Sequence, residues 1–393
     1  MKTLLLLLAL GNAQAADVLS AVVRILDLAQ AGLPGSRAPL EAFSAPVPAA
    51  QAAGSAGAYL RDGSLRVKCA ACPDFTSVTS GVDDYKIRAE TISFRKGTSL
   101  YLVTDLRQGF YTSITSGVDG YAVAAGAVAF KRGSSLYVVT DFRQGLYTSV
   151  TSGVDEFVAG DGAIAFTKSN SLYVVTDLRQ GSYTSVTSGV DKFVVGDGTI
   201  AFKKGSSLYV VTDLRQGSYT SVTSGVDLFA VAEDGAIAFS KGNTLYVVTD
   251  IRQGSYTSVT SGVDRFVPAR GTIAFVKGST LYVVTDFRQG SYTSVTSGVD
   301  EILVGGERVA FRRGGTLYAV TDIRQGSYTS ITSGVDAAFA TADGRVFFRR
   351  GTTLYAVTDF SAGSYDSAAY NVDAAELRDG VLYYRQGDRW RVL

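Results

Sequence analysis

Two sets of residues carry side chains that could do chemistry: a pair of cysteines and a recurring turn motif. Cys69 and Cys72 are the only cysteines, and two alanines separate them. Such a pair forms a local disulfide in an oxidising compartment, or exchanges disulfides within a thioredoxin-like βαβ unit. That context is missing, so the sequence favours a structural disulfide. Two sulfur ligands without histidine cannot complete a tetrahedral metal site.

The second set is the motif Asp-x-Arg-Gln-Gly, which occurs seven times with a tyrosine two residues after each glycine. In one interpretation, the aspartate accepts the N–H groups of its turn and pairs with the arginine. In the other, each copy is a polar pocket for a hydroxyl-rich ligand, with the tyrosine as a stacking face. The candidate ligand-binding residues are Asp105, Arg107, Tyr111, Asp141, Arg143, Tyr147, Asp177, Arg179, Tyr183, Asp213, Arg215, Tyr219, Asp250, Arg252, Tyr256, Asp286, Arg288, Tyr292, Asp322, Arg324 and Tyr328.

Composition excludes several classes of function. The chain has no histidine, which removes Ser-His-Asp and Cys-His catalysis and every imidazole metal site. Its 37 Lys+Arg against 36 Asp+Glu give a net charge of +1, so we expect no nucleic-acid partner. No calcium loop or phosphate loop occurs, and no cofactor or metal is predicted. Carboxylate or tyrosine chemistry needs no histidine, so an enzyme remains a minor alternative.

The elements that position these residues are internal repeats. Near-copies of residues 208–217 begin at Leu100, Leu136, Leu172, Leu245, Leu281, Leu317 and Leu354, in steps of 36 or 37 residues. A second signature, Thr-Ser-Gly-Val-Asp, ends at Asp83, Asp119, Asp155, Asp191, Asp227, Asp264, Asp300 and Asp336. A fixed period of this size indicates a solenoid or a propeller.

Each period contains four strand-like runs, which in one copy are 192–195, 199–203, 208–212 and 219–223. Glycine-containing turns join them, so they predict a four-stranded antiparallel meander. Neither face is plainly polar, which indicates a sheet covered on both sides. The sequence therefore predicts an all-β fold, a β-propeller of four-stranded antiparallel blades.

Eight complete units run from 83 to 372, and the chain ends supply further strands. Three C-terminal runs, 374–377, 381–384 and 390–393, combine with 75–79 into a composite ninth blade that removes the open sheet edge. A ring of eight blades is the alternative. A hairpin over 58–68 has no place in this scheme.

Residues 208–217 resemble the third strand of a WD-repeat blade, with Thr212-Asp213 where that family has Trp-Asp. The resemblance covers residues 83–372 and implies a propeller fold. The family's Gly-His signature is absent, and the period is shorter than its usual ~40–45 residues. The near-identity of the copies is similar to that of lectin propellers of the tachylectin type. No functional residue of either family is carried over.

The N-terminal segment has the pattern of a secretory signal peptide. Lys2 precedes an apolar run over 4–10, and Ala13-Gln14-Ala15 follows as a cleavage site. We expect cleavage after Ala15, a short helix and an Ala/Pro/Ser-rich linker over 16–57, and the propeller over 58–393. The expected product is a secreted or periplasmic monomer without a transmembrane segment.

The turns between second and third strands are basic, at the blade end opposite the Asp-x-Arg motif. They are either solvated turn charges or a docking surface for an anionic glycan or acidic protein. These cations are Arg95, Lys96, Lys131, Arg132, Lys168, Lys203, Lys204, Lys241, Lys277, Arg312, Arg313, Arg349 and Arg350.

Three functions follow in order of preference. The first is a non-enzymatic exported propeller that binds a protein partner through one rim of the ring. The second is a multivalent carbohydrate-binding lectin with one site per blade. The third is an enzyme with an active site at the channel mouth.

Overall fold

The computed structural model describes residues 57–392, except 62, 70–71, 73–74, 233, 342–343, 379–380 and 388. The predicted signal peptide, the predicted helix and nearly all of the predicted linker lie outside these residues. Every regular element in the described part is a β-strand. No helix long and apolar enough to cross a membrane occurs in that part.

The strands follow one another with few intervening residues. They are β1 (Gly57–Arg61), β2 (Ser64–Lys68), β3 (Thr76–Thr79), β4 (Asp84–Arg88), β5 (Thr91–Lys96), β6 (Ser99–Asp105), β7 (Phe110–Thr115), β8 (Gly120–Ala124), β9 (Ala127–Arg132), β10 (Ser135–Asp141), β11 (Leu146–Thr151), β12 (Glu156–Gly160), β13 (Ala163–Lys168), β14 (Ser171–Asp177), β15 (Ser182–Ser188), β16 (Lys192–Val195), β17 (Ile200–Lys204), β18 (Ser207–Asp213), β19 (Ser218–Thr223), β20 (Leu228–Val231), β21 (Ile237–Lys241), β22 (Thr244–Asp250), β23 (Ser255–Ser261), β24 (Arg265–Ala269), β25 (Thr272–Lys277), β26 (Thr280–Asp286), β27 (Ser291–Thr296), β28 (Glu301–Gly305), β29 (Arg308–Arg313), β30 (Thr316–Asp322), β31 (Ser327–Thr332), β32 (Ala337–Ala340), β33 (Val346–Arg350), β34 (Thr353–Asp359), β35 (Ser364–Ala369), β36 (Ala374–Arg378), β37 (Val381–Gln386) and β38 (Arg389–Val392).

Four consecutive strands make each repeated sheet, and they pair antiparallel in chain order, as the sequence predicts. We number these sheets blade 1 (β4–β7) to blade 8 (β32–β35). An N-terminal sheet (β1–β3) precedes them, and a C-terminal sheet (β36–β38) follows. The predicted strand bounds hold to within one residue in blade 4, where β16 is unchanged and β17 is Ile200–Lys204.

The core lies between successive sheets rather than within any one of them. In β18, Leu208 and Val210 are fully buried and pack with Phe229 of blade 5. The alternate residue Val211 packs on the opposite side, with Leu172 of blade 3. Both faces of the blade are therefore covered, which is why neither face shows the polar alternation of a half-solvated sheet.

The ends of the described chain meet. The N-terminal sheet packs on blade 1, where the Tyr85 hydroxyl donates to the carbonyl of Ala58 at 2.9 Å. The C-terminal sheet packs on blade 8 through Leu382 and Tyr384. β1 lies beside β38, and Tyr383 packs against the N-terminal sheet and blade 1. The first strands of neighbouring blades contact one another, so they surround the axis of a nine-blade β-propeller.

Strand pairing at the closure differs from the predicted arrangement. β3, predicted as the fourth strand of the C-terminal sheet, pairs instead with β2 of its own sheet. The hairpin over 58–68 supplies β1 and β2, so each chain end forms a three-stranded sheet of its own. The physical reason is local: β2 and β3 are joined by a short connection that contains the Cys69–Cys72 disulfide, so they pair at low entropic cost.

Candidate functional site

Strand direction alternates within a blade, which sorts the turns onto two faces of the ring. One face carries the turns between first and second strands and the Asp-x-Arg-Gln-Gly turns between third and fourth strands; we call it the Asp-Arg face. The other carries the basic turns between second and third strands and the Ser-Gly-Val-Asp connections; we call it the basic face.

The aspartate of each Asp-x-Arg-Gln-Gly motif organises its own turn. In blade 4, Asp213 Oδ1 accepts the N–H groups of Arg215 at 2.8 Å and Gln216 at 3.0 Å. The same pair of bonds forms at the other six copies. In blade 8, the N–H of Ala362 and the hydroxyl and N–H of Ser361 lower the pKa of Asp359. The predicted Asx-type role of the aspartate is confirmed.

The predicted ion pair within these turns is wrong. Among the described residues, no carboxylate lies within 4.0 Å of the arginine in any of the seven copies, and all seven arginines are exposed. The reason is that the backbone N–H bonds hold the carboxylate over the turn, while the guanidinium extends into solvent. The Asp-Arg face therefore presents a set of guanidinium groups with free donors.

The turn glycine of each Asp-x-Arg-Gln-Gly motif packs against the backbone of the preceding blade. Gly217 has a φ of 69°, and a Cβ there would lie 2.4 Å from the carbonyl oxygen of Ser185 in blade 3. Beside it, Thr184 Oγ1 donates to the carbonyl of Arg215 at 3.0 Å. The motif is thus a blade-to-blade joint as well as a turn.

The side chains of the candidate tyrosines point away from the Asp-x-Arg-Gln-Gly turns. The Tyr147 ring meets Phe130 edge-on at 5.1 Å and Tyr137 at 5.6 Å. Its hydroxyl lies 3.5 Å from Thr115 Oγ1 of blade 1, which Arg132 of the basic face also contacts at 3.2 Å. The hydrogen bond with Thr115 and the nearby Arg132 lower the pKa of Tyr147. The structure therefore places the Asp and Arg of each motif in the same turn without an ion pair, and it directs the tyrosine hydroxyl toward the opposite face.

Two clefts lie on the Asp-Arg face, each at a boundary between blades. The cleft between blades 7 and 8 has a volume of about 390 Å³, and that between blades 5 and 6 about 460 Å³. In each, the Thr-Asp-Ile-Arg segment of one turn faces a phenylalanine of the next blade's turn. The shared lining residues are Thr321, Asp322, Ile323, Arg324 and Phe360 in one cleft and Thr249, Asp250, Ile251, Arg252 and Phe287 in the other.

Sequence reasoning missed those phenylalanines. They occupy the variable position of the motif, which is Leu, Ile or Phe. The variation in side-chain size at this position from copy to copy is the signal that could have found them. An acidic residue from the first turn, Asp234 or Glu307, also lines each cleft.

Apolar side chains are exposed on the Asp-Arg face of the first three blades. Phe110 is 61% exposed and Leu146 54%, and each follows directly after a turn glycine. In blades 3 to 8 that position is serine. Leu178, the variable residue of the motif in blade 3, is 36% exposed. These three residues, which we call the apolar patch, distinguish one sector of the ring from the rest.

On the basic face, many charged residues serve the fold. Asp191 Oδ2 accepts the N–H of Gly205 at 2.6 Å, so the signature aspartate caps the basic turn of its own blade. Arg313 donates to Thr296 Oγ1 of the preceding blade at 2.6 Å. Closer to the axis, Asp84 accepts the Tyr121 hydroxyl at 2.6 Å and pairs with Arg95 at 2.6 Å. Burial and the Asp84 charge raise the pKa of Tyr121 well above its usual value.

The cysteine prediction is confirmed, since Cys69 and Cys72 form a disulfide and no other cysteine exists. Among the described residues, no group of three or more Cys, Asp or Glu is placed to hold a metal ion.

Comparison with known proteins gives a likeness in structure alone, because no family model and no curated protein matches the chain. Apo AztD from Citrobacter koseri matches with a TM-score of 0.43 at 14% identity, over 80% of this chain and 93% of that one. Virginiamycin B lyase from Staphylococcus aureus gives 0.35 at 16%, over 59% and 92%. PorZ from Porphyromonas gingivalis gives 0.34 at 11%, over 89% and 64%. The sheets described above define the chain as a β-propeller repeat protein.

Proposed function

We propose that this chain is an exported, non-enzymatic β-propeller scaffold that binds a protein partner through the Asp-Arg face. The observation that carries the proposal is the apolar patch, which lies among exposed arginines with no carboxylate partner in the described chain. Aromatic residues such as Phe110 and arginines are enriched at protein interfaces.

The position of the patch supports a single partner rather than one ligand per blade. Phe110 and Leu146 replace a serine that the other six blades share, so the patch is confined to one sector of a repeated ring. In this sector the turn glycines Gly109 and Gly145 pack closely against the backbone of the preceding sheet, which favours a preorganised surface. A rigid surface reduces the entropy lost on association.

Two further observations support the remaining parts of the proposal. The absence of histidine removes the commonest general base, which supports a role in binding. The signal-peptide pattern and the Cys69–Cys72 disulfide support export, because disulfides persist in oxidising compartments.

The test compares proteins captured by two variants from the exported fraction of the source cells. Phe110→Ser with Leu146→Ser removes the patch with the residue that other blades carry, so the fold should tolerate it. The control is Tyr370→Ser, which removes a side chain that is 61% exposed on the basic face, where other copies also have serine.

The proposal predicts a protein that the wild type and the control retain in equal amounts and that the double variant loses at least tenfold. Equal retention by all three chains would contradict it. So would capture of nothing by the wild type in repeated extracts.

The clefts favour a second candidate, a carbohydrate-binding function. A carboxylate and a guanidinium beside an aromatic ring can hydrogen-bond sugar hydroxyls while the ring packs on the sugar face. We expect Phe287→Leu with Phe360→Leu to abolish sugar binding in titration calorimetry, because leucine lacks the aromatic ring. Other copies of the motif carry leucine at this position, so the fold should tolerate the change. Absence of binding by the wild type on a glycan array and at millimolar sugar would contradict this candidate.

A further inference from the structure

The basic face contains an inner ring of charges at the mouth of the channel. Each first strand begins there, and its first residue pairs directly with a residue of the second strand. Eight cations and three carboxylates occupy these nine cross-strand pairs. The pairs are Asp84/Arg95, Gly120/Lys131, Glu156/Thr167, Lys192/Lys203, Leu228/Ser240, Arg265/Val276, Glu301/Arg312, Ala337/Arg349 and Ala374/Arg385.

Only part of this positive charge is compensated by carboxylates. Asp84 pairs with Arg95 at 2.6 Å, and Glu301 with Arg312 at 3.2 Å. The signature aspartates nearby direct a carboxylate oxygen at the N–H of their own turns instead, as Asp191 does toward Gly205.

Four other cations of the inner ring hydrogen-bond neutral main-chain carbonyls of the next blade. The acceptors, at 2.7–3.3 Å, are the main-chain carbonyls of the signature residues Asp155, Asp227 and Asp300 and of Asp373, which ends a diverged copy of the signature at 371–373. In addition, the Nε–H groups of Arg265 and Arg349 have no acceptor in the described chain. No carboxylate of the described residues lies within 4.0 Å of any of these four cations, although the charge of Arg265 acts on Glu301. The four are Lys131, Lys203, Arg265 and Arg349.

Blade 4 places two like charges opposite each other at this mouth. Lys192 of β16 pairs in register with Lys203 of β17, an arrangement that destabilises a sheet. The fold does not require it, since blade 5 has Leu228 and Ser240 at the same positions. Burial and Lys203 lower the pKa of Lys192, although Glu156 opposes them.

We infer that the channel mouth on the basic face binds an anionic group, a phosphate, sulfate or carboxylate, of a ligand that approaches from that side. The excess of cations over carboxylates at this opening favours an incoming anion, since charge concentrated at a cleft with low-dielectric walls focuses the field there. Lysine and arginine donors form short, charge-assisted hydrogen bonds with such oxygens. This site is separate from the proposed partner surface, because it lies on the opposite face of the ring.

Titration calorimetry of the full mature chain at low ionic strength tests the inference with three probes. They are inorganic tripolyphosphate, a sulfated oligosaccharide and an oligogalacturonate, which separate phosphate, sulfate and carboxylate as the recognised group. The test variant is Lys192→Leu with Lys203→Ser, the residues that blade 5 carries. The matched control is Arg179→Ser with Arg215→Ser, which removes the same charge from the Asp-Arg face and uses the serine found at Ser361.

We expect at least one probe to bind the wild type, with a Kd raised at least tenfold in the test variant and less than twofold in the control. Lys131→Thr, which introduces the residue that blade 3 carries as Thr167, should raise the Kd independently. The inference is overturned by failure of all three probes to bind the wild type at millimolar concentration. Equal weakening in the test and control variants would also overturn it, since that result reports net charge alone.

Discussion

At the scale of single residues, the turn glycines give the sharpest test of how neighbouring blades are joined. Gly217 and Gly205 both have positive φ, but only Gly217 faces a neighbouring backbone; nothing lies within 4 Å of a Cβ at Gly205. Gly205→Ala should cost about 1–2 kcal/mol, because alanine is strained in the left-handed region. Gly217→Ala should cost at least about 2 kcal/mol more, because the blades must separate.

Urea denaturation of the two variants measures this difference in the free energy of unfolding. Equal losses for Gly205→Ala and Gly217→Ala would contradict the joint and reduce the motif to an ordinary turn.

The turn aspartates should make stability depend on pH. Hydrogen bonds from the Ala362 N–H, the Ser361 hydroxyl and the Ser361 N–H lower the pKa of Asp359 in the folded state. A carboxyl group with a depressed folded pKa stabilises the protein above its unfolded pKa of about 4, and this contribution is lost as the pH falls through the folded pKa. Asp359→Asn keeps one acceptor oxygen but cannot titrate, so the variant should lose less stability than wild type from pH 5 to pH 3.

Thermal unfolding between pH 5 and pH 3 gives the comparison for Asp359→Asn. Identical slopes of Tm against pH for the variant and the wild type would show that this turn does not couple to acid unfolding.

At the scale of elements, the N-terminal sheet depends on the connection between β2 and β3. The Cys69–Cys72 disulfide closes a four-residue loop in this connection. The chain-entropy estimate for a loop of that size is about 2 kcal/mol. Cys69→Ser with Cys72→Ser should therefore lower stability by about that amount, and a free-thiol assay on the wild type should read near zero. One reactive thiol per cysteine in the purified protein would contradict the disulfide.

The repeated elements were the most predictable part of the molecule. Period-two alternation and glycine turns located the strands of blade 4 to within one residue, since each strand carries its own signal. The pairing of β3 was not predictable, because β2 and the C-terminal sheet both offer it an edge and local chain connection decides between them. The sequence likewise showed that Asp213 caps its turn, since that bond is local.

Contacts between blades were harder to predict. The direction of the Tyr147 ring depends on Thr115 of the preceding blade, 32 residues away in sequence. The clefts depend on Phe287 and Phe360, each facing a turn from the previous blade. A repeat pattern shows that such positions recur, but it does not show which of them meet across a boundary.

At the scale of the whole molecule, the two faces of the ring differ in which residues join neighbouring blades and which are available for binding. The Asp-Arg face carries exposed arginines, clefts and the apolar patch. On this face the blades are joined by backbone contacts at the turn glycines. Several outer cations of the basic face bond neighbouring blades, as Arg313 does with Thr296. The inner ring at the channel mouth holds eight cations against three carboxylates, so positive charge is in excess there. Both proposals require that the blades surround one axis. An open stack of sheets would have no channel mouth, and its blades would not form sectors of a ring.

Closure of the ring is therefore the central claim, and it predicts a compact particle. Small-angle X-ray scattering of the mature chain tests it directly. A closed ring should give a radius of gyration of about 20–25 Å and a distance distribution with one central maximum. An open stack of sheets spaced about 10 Å apart would extend to about 100 Å. A long, declining distribution that reaches that length would contradict the account.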